Sequence, residues 1–144
     1  MAKTVRETMT AEPTTVDRSR SLVDSAQLMR DQDVGSLPVT EEGRLIGVIT
    51  DRDIVIRVVA EGRDVVSATV GDAYSPDAVT VDPGDDLDEA LRLMARHQVR
   101  RLPVVEGDRL VGILAQADVA LDEKEKKTGE VVQAVSEPSE ADRG

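Results

Sequence analysis

Few side chains in this chain can do covalent chemistry. There is one histidine, His97, and no cysteine. A serine or threonine nucleophile needs a base poised beside it, and no such pairing can be read along the chain. Nor is there a glycine-rich Walker loop. Carboxylates abound, but only Asp53 and Asp118 occupy equivalent positions of an internal repeat beside an expected pocket. Equivalence of that kind places them in separate sites, not in one acid/base pair. The reading is that this is not an enzyme and has no catalytic residue. One histidine without a cysteine also supports no metal site, and His97 reads as a structural residue near a helix end. The adjacent cations Arg100 and Arg101 remain. They suit a phosphate, or else form a solvated surface pair.

The elements that must position these residues come in duplicate. An offset of 65 places Thr15, Val16 and Asp17 on Thr80, Val81 and Asp82. It also places Leu37-Pro38-Val39 on Leu102-Pro103-Val104, Gly47 on Gly112 and Asp53 on Asp118. Sixteen of the 52 positions from Val5 to Ile56 are identical to their counterparts, roughly three times what chance allows for such a composition.

Each copy reads alike: a short strand at Thr14–Val16 or Val79–Val81, a polar turn, then a helix. Ser21 with Asp24, and Asp86 with Glu89, have capping-box-like spacing. The helices show apolar stripes, Leu22, Ala26 and Met29 in one, Leu87, Ala90, Leu91 and Met94 in the other. A hairpin follows, with strands near Ser36–Thr40 and Arg44–Thr50, or Arg101–Val105 and Arg109–Ala115. Glu42-Gly43 and Gly107-Asp108 are the turns. A closing helix is expected near Asp51–Glu61 and again near Gln116–Lys127.

The expected fold is mixed α/β (α+β): two β-α-β-β-α repeats packed sheet to sheet with pseudo-twofold symmetry. A half of about 55 residues has too little core to stand alone. The domains are expected at residues 4–61 and 69–121, joined through Glu61–Ala68, with a disordered tail over 128–144.

Composition narrows the function. The net charge is −11 and the only aromatic residue is Tyr74. A nucleic-acid surface would be basic, and single-strand binders stack bases on aromatic rings. Nucleic acid is therefore not an expected partner. No apolar run approaches the ~18 residues of a membrane span, and the N-terminus lacks a signal-peptide pattern. The expected location is the cytoplasm, with no membrane partner.

Val34-Gly-Ser-Leu-Pro-Val39 followed by Leu45-Ile-Gly-Val-Ile-Thr-Asp-Arg-Asp53 resembles the CBS domain family, named after cystathionine β-synthase. Val99-Arg-Arg-Leu-Pro-Val104 followed by Leu110-Val-Gly-Ile-Leu-Ala-Gln-Ala-Asp118 is similar to it again. Within the family the chain is similar to stand-alone bacterial two-domain members, the hypoxic response protein type among them. The resemblance implies a nucleotide signature of Gly, Thr or Ser, and Asp. The glycine permits close backbone approach. The hydroxyl meets phosphate or ribose at a helix N-terminus. The Asp accepts from the ribose hydroxyls.

Gly47, Thr50 and Asp53 complete that signature. In the second copy Gly112 and Asp118 remain, but Ala115 replaces the hydroxyl, so this site is expected to be impaired. The resemblance also sets adenine against Thr15 and Val16 and near Gly35 and Leu37, with Arg100 and Arg101 toward phosphate. Thr50 and Asp53 also have plainer readings, a helix cap and a dipole-favoured first-turn acid.

The implied function is a non-catalytic regulatory sensor. It would bind an adenosine-type nucleotide in the cleft between repeats and signal through a partner chain. No cofactor is obligatory; AMP, ADP, ATP or another adenosyl compound is the ligand class. The resemblance implies a homodimer, and Ile54, Val55, Ile56, Val58, Val59 and Ala60 make the closing helix apolar all round, which fits a helix at a subunit interface. The effector protein is unknown. The alternative is a ligand-free, stress-related protein–protein interaction module with degenerate sites.

Overall fold

The computed structural model describes residues 3–120. The expected tail over 128–144, and most of the helix expected at Gln116–Lys127, lie outside the described residues. Residues 116–120 are helical. The described elements are α1 (Val5–Thr8), β1 (Thr10–Ala11), β2 (Val16–Asp17), α2 (Leu22–Gln32), β3 (Ser36–Glu41) and β4 (Arg44–Thr50). Then come α3 (Asp51–Ile54), α4 (Leu87–His97), β5 (Arg101–Glu106) and β6 (Arg109–Ala115). No described helix is long and apolar enough to cross a membrane.

Two compact units form, and neither is one continuous stretch. The first comprises residues 13–79 with the turn 107–110. The second comprises residues up to Glu12, then Thr80–Glu106, then the chain from Val111.

In the first unit β2 pairs parallel with β3 through Val16 and Val39, and β3 pairs antiparallel with β4, Leu37 opposite Ile49. Ser75 then bridges Val48 in antiparallel sense, each amide donating to the other's carbonyl at 2.9 Å. The hairpin turn has positive φ at Glu42 (53°) and Gly43 (82°), the backbone a two-residue primed turn demands. Val16, Leu22, Met29, Leu37, Val39, Ile49 and Val58 form its core, closed by Ala68, Val70 and Ala73.

The second unit repeats this arrangement. Val81 bridges Val104 in parallel sense, β5 pairs β6, and β1 pairs β6 with Thr10 opposite Ile113. Its core includes Val5, Leu87, Ala90, Met94, Leu102, Val104 and Leu114. The strand expected at Val79–Val81 is thus reduced to a bridge, and that expected at Thr14–Val16 is shifted to Val16–Asp17.

Backbone hydrogen bonds repeat at the offset of 65. Leu22 N donates to Ala68 O at 3.0 Å, and Leu87 N to Lys3 O at 2.9 Å. Val70 N donates to Arg20 O at 2.8 Å, and Val5 N to Asp85 O at 2.9 Å. Each hairpin repeat is therefore completed by a segment that precedes the other repeat in the chain. Burial of Val70 and Val5 explains the exchange: each fills the core of the unit that its amide bonds to.

Two local expectations need correction. In α2 the buried stripe is Leu22, Ser25 and Met29, while Ala26 is exposed. Ser25 matches the buried Ala90 of α4, and its hydroxyl is satisfied by Ser21 O at 3.2 Å. The closing helix is α-helical only over Asp51–Ile54; Val55–Val59 widen into a π-helical turn. Gly62 (φ 73°) ends it, with Arg63 N reaching back to Val58 O at 3.0 Å. The caps form largely as expected. Ser21 Oγ accepts from Asp24 N at 3.0 Å, whereas Asp86 caps Asp88 N at 3.2 Å and not Glu89.

Candidate functional site

The junction of β4 and α3 gathers the first signature. Strand β4 ends at Thr50, whose extended backbone (φ −117°, ψ 162°) turns directly into the helix. Thr50 Oγ1 accepts from Asp53 N, and Asp53 Oδ2 accepts from Thr50 N, both at 3.0 Å. This reciprocal capping box satisfies two otherwise orphaned amides. Asp51 N donates to Gly35 O at 3.0 Å, which ties the entry of β3 to the same helix start. Gly47 lies three residues earlier in β4, and the Tyr74 ring and the Ser75 carbonyl occupy the space that a Cβ there would need.

Asp53 is the centre of this junction. Its other oxygen, Oδ1, accepts from Ser75 Oγ at 3.2 Å and lies 3.8 Å from Arg57 Nε. Arg57 Nη1 also donates to Tyr74 O at 3.2 Å. The Asp53 side chain is only 13% exposed, against 49% for Arg57. A carboxylate so enclosed is held in one orientation at a helix N-terminus, where the free amides and the dipole favour negative charge.

Seven of the expected site residues fall in the first unit: Thr15, Val16, Gly35, Leu37, Gly47, Thr50 and Asp53. Their roles differ. The side chains of Val16 and Leu37 are buried in the core, so neither side chain is placed to meet a ligand. Thr15 is half-buried and Gly35 exposed. Arg100, Arg101 and Asp118 fall in the second unit. Gln116 N donates to Arg100 O at 2.8 Å, the counterpart of the Asp51–Gly35 bond. The Arg100 side chain is exposed and that of Arg101 half-buried. Asp118 Oδ2 accepts from Thr10 Oγ1 at 3.3 Å. Ala115 is buried and supplies no hydroxyl.

Sequence reasoning passed over Ser75, Arg57 and Thr10. A signal existed for two of them, because Thr10 and Ser75 are hydroxyl residues at the same repeat position. Arg57 had none, since its counterpart 65 residues on is Asp122. Among the described residues no three His, Cys, Asp or Glu side chains gather to hold a metal ion.

Two α+β units, each with a strand glycine followed by a hydroxyl-held aspartate at a helix start, define a tandem-repeat module. The family model of the CBS domain matches residues 5–60 and 70–121. The chain belongs to the CBS domain family, whose paired domains are regulatory modules. It is 40% identical over 136 residues to Hypoxic response protein 1 of Mycobacterium tuberculosis, covering 94% of this chain and 95% of that protein. The crystal structure of Hypoxic Response Protein I with two coordinated zinc ions superposes with a TM-score of 0.74 at 42% identity, over 83% of this chain and 98% of that one. The structure of CBSX2 in complex with AMP superposes with a TM-score of 0.75 at 31% identity, over 86% and 98%.

Proposed function

We propose that this chain is a non-catalytic sensor whose first unit binds an adenosine-type nucleotide through Asp53, and that it signals to a partner chain. The observation that carries the reading is the Asp53 carboxylate. It is enclosed, oriented by Thr50 N, and set at a helix start beside a glycine that lets backbone come close. A buried-facing carboxylate of this kind is an acceptor suited to a ribose diol, and such charge-assisted bonds are short and strong. The AMP held by CBSX2, a relative at 31% identity, supports the ligand class.

The exposed apolar side chains of the π-helical turn support self-association. Val55, Ile56 and Val59 are 53%, 47% and 52% exposed, while Val58 between them is fully buried. Covering such a row removes apolar area from water. The occupant proposed is a second copy of the chain, as the all-round apolar helix suggests. The effector protein is proposed to be a separate chain.

Titration of the purified chain with AMP, ADP, ATP and S-adenosylmethionine tests the reading. Ligand at about 100 times Kd stabilises the folded state by about 2.7 kcal/mol, which a melting scan resolves. Asp53→Ala is expected to remove the shift. One observation favours the alternative, a ligand-free interaction module. Both Asp53 oxygens already have protein partners, and Ala115 leaves the second signature incomplete. No shift with any of the four compounds at millimolar concentration selects that alternative.

A further inference from the structure

Asp53 can offer a diol only the acceptor capacity that its neighbours leave. An ionised carboxylate has about four lone-pair positions on two oxygens. Oδ2 is committed to Thr50 N, a bond built into the helix start. Oδ1 is the oxygen left for a ligand, and in this structure Ser75 Oγ and Arg57 Nε face it at 3.2 and 3.8 Å. One hydroxyl donor and one cation at ion-pair distance thus stand at the oxygen that a vicinal diol would need.

The two stand-ins differ in mobility. Ser75 is fixed by its paired backbone bonds to Val48, and only its hydroxyl can rotate. Arg57 is half exposed on a long side chain, so it can swing into water, where an exposed ion pair is worth roughly 0.2–1 kcal/mol. We propose that Arg57 is the gate of the first unit's nucleotide site: it occupies the diol position on Asp53 and must leave before ribose binds. Position 57 therefore sets affinity. This rests on the nucleotide reading above and names its regulation.

The consequence reaches past the carboxylate. Arg57 also holds the Tyr74 carbonyl, and it belongs to the π-helical turn that exposes Val55, Ile56 and Val59. π-Turns concentrate at functional positions. Displacing Arg57 frees a contact between that turn and the Tyr74–Ser75 segment, so occupancy of Asp53 and the conformation of the exposed apolar face are linked through one side chain. The second unit has no such gate among the described residues. Asp118 accepts there from the Thr10 hydroxyl, and the repeat counterpart of Arg57 in the sequence is an acid, Asp122.

The test is calorimetric titration of the full chain with adenosine, which carries the diol but no phosphate, and with AMP. 2′,3′-Dideoxyadenosine serves as the diol-free control. Arg57→Gln is expected to bind adenosine and AMP more tightly, both by about two- to fivefold, the equivalent of one competing exposed ion pair. Arg57→Lys, which keeps charge but loses the forked donor, should fall between. Melting scans establish that both variants are folded. The fluorescence of Tyr74, the sole aromatic residue, should change on ligand addition in the wild type and less in Arg57→Gln. If the wild type binds adenosine and Arg57→Gln binds it equally or more weakly, the gate is overturned while the nucleotide reading stands. If neither adenosine nor AMP binds wild type or variants, the nucleotide reading falls and takes the gate with it.

Discussion

Tyr74 fills the space that a side chain at position 47 would need. A Cβ built on Gly47 would lie 2.7 Å from the ring Cδ2 and would overlap the Ser75 carbonyl oxygen. The glycine is therefore required by the bridge between β4 and the segment that closes the first unit. It serves that packing whether or not a ligand ever approaches.

The contact predicts an unequal response to alanine at the two repeat positions. Gly47→Ala must push backbone aside and is expected to cost about 3 kcal/mol, lowering the melting temperature by roughly 6–12 °C. Gly112→Ala meets Met9 Sδ at 2.6 Å, and a thioether can rotate away; its one backbone contact, Thr10 O at 2.9 Å, is a milder overlap than that of Gly47 with Ser75 O. Its loss should be smaller. Equal melting temperatures for the two variants would contradict this account.

The exposed row on the π-helical turn predicts a separation between association and folding. Ile56→Lys places a charge where half the side chain already meets water. The variant should stay folded by circular dichroism but sediment as a monomer where the wild type sediments as a dimer. Val58→Lys, on the buried side of the same turn, should fail to fold, because an unpaired ammonium in an aliphatic core is strongly unfavourable. A wild type that is monomeric at all concentrations would remove the reason for the exposed face.

Restoring the missing hydroxyl tests the asymmetry between the signatures. Ala115→Ser adds a single oxygen at the second helix start. Under the nucleotide reading, calorimetry should count one adenosine per wild-type chain and two per variant chain. A wild type that already binds two would show that Ala115 impairs nothing.

Asp72 predicts a pH effect of definite sign. Its carboxylate is held below its ordinary pKa, chiefly by the hydrogen bond from Thr69 N and further by the Arg63 guanidinium. A depressed native pKa means that the ionised form stabilises the fold. The contribution is complete above the ordinary carboxylate range of about 4 and disappears as pH falls below it. Asp72→Ala should thus melt lower than wild type at pH 6, and the two curves should converge on acidification. A gap that widened toward low pH would reverse the assignment.

Much of the local structure was legible because duplication made each element visible twice. The hairpins, the α2 and α4 helices, and the cap role of Thr50 follow from periodicity, turn residues and cap preference, all short-range properties. Ala26 misled because the apolar stripe can be drawn through it as easily as through Ser25. Ser25 is the buried residue because it shares the repeat position of Ala90 on the core-facing side of the helix, and its hydroxyl is satisfied by Ser21 O. The end of the closing helix was misread for a related reason, since a run of Val and Ile has the same pattern in an α-turn and a π-turn.

The chain's order of residues alone determined the repeat, its elements, and the absence of a thiol or a second histidine, because those are properties of neighbours and of composition. Tertiary structure decided which segment completes which unit, and which donors reach the two aspartates. Ser75 meets Asp53 from 22 positions away, and Thr10 meets Asp118 from 108 away. Such partners are chosen by burying Val70 and Val5 in particular cores, and no pattern along the chain records that choice.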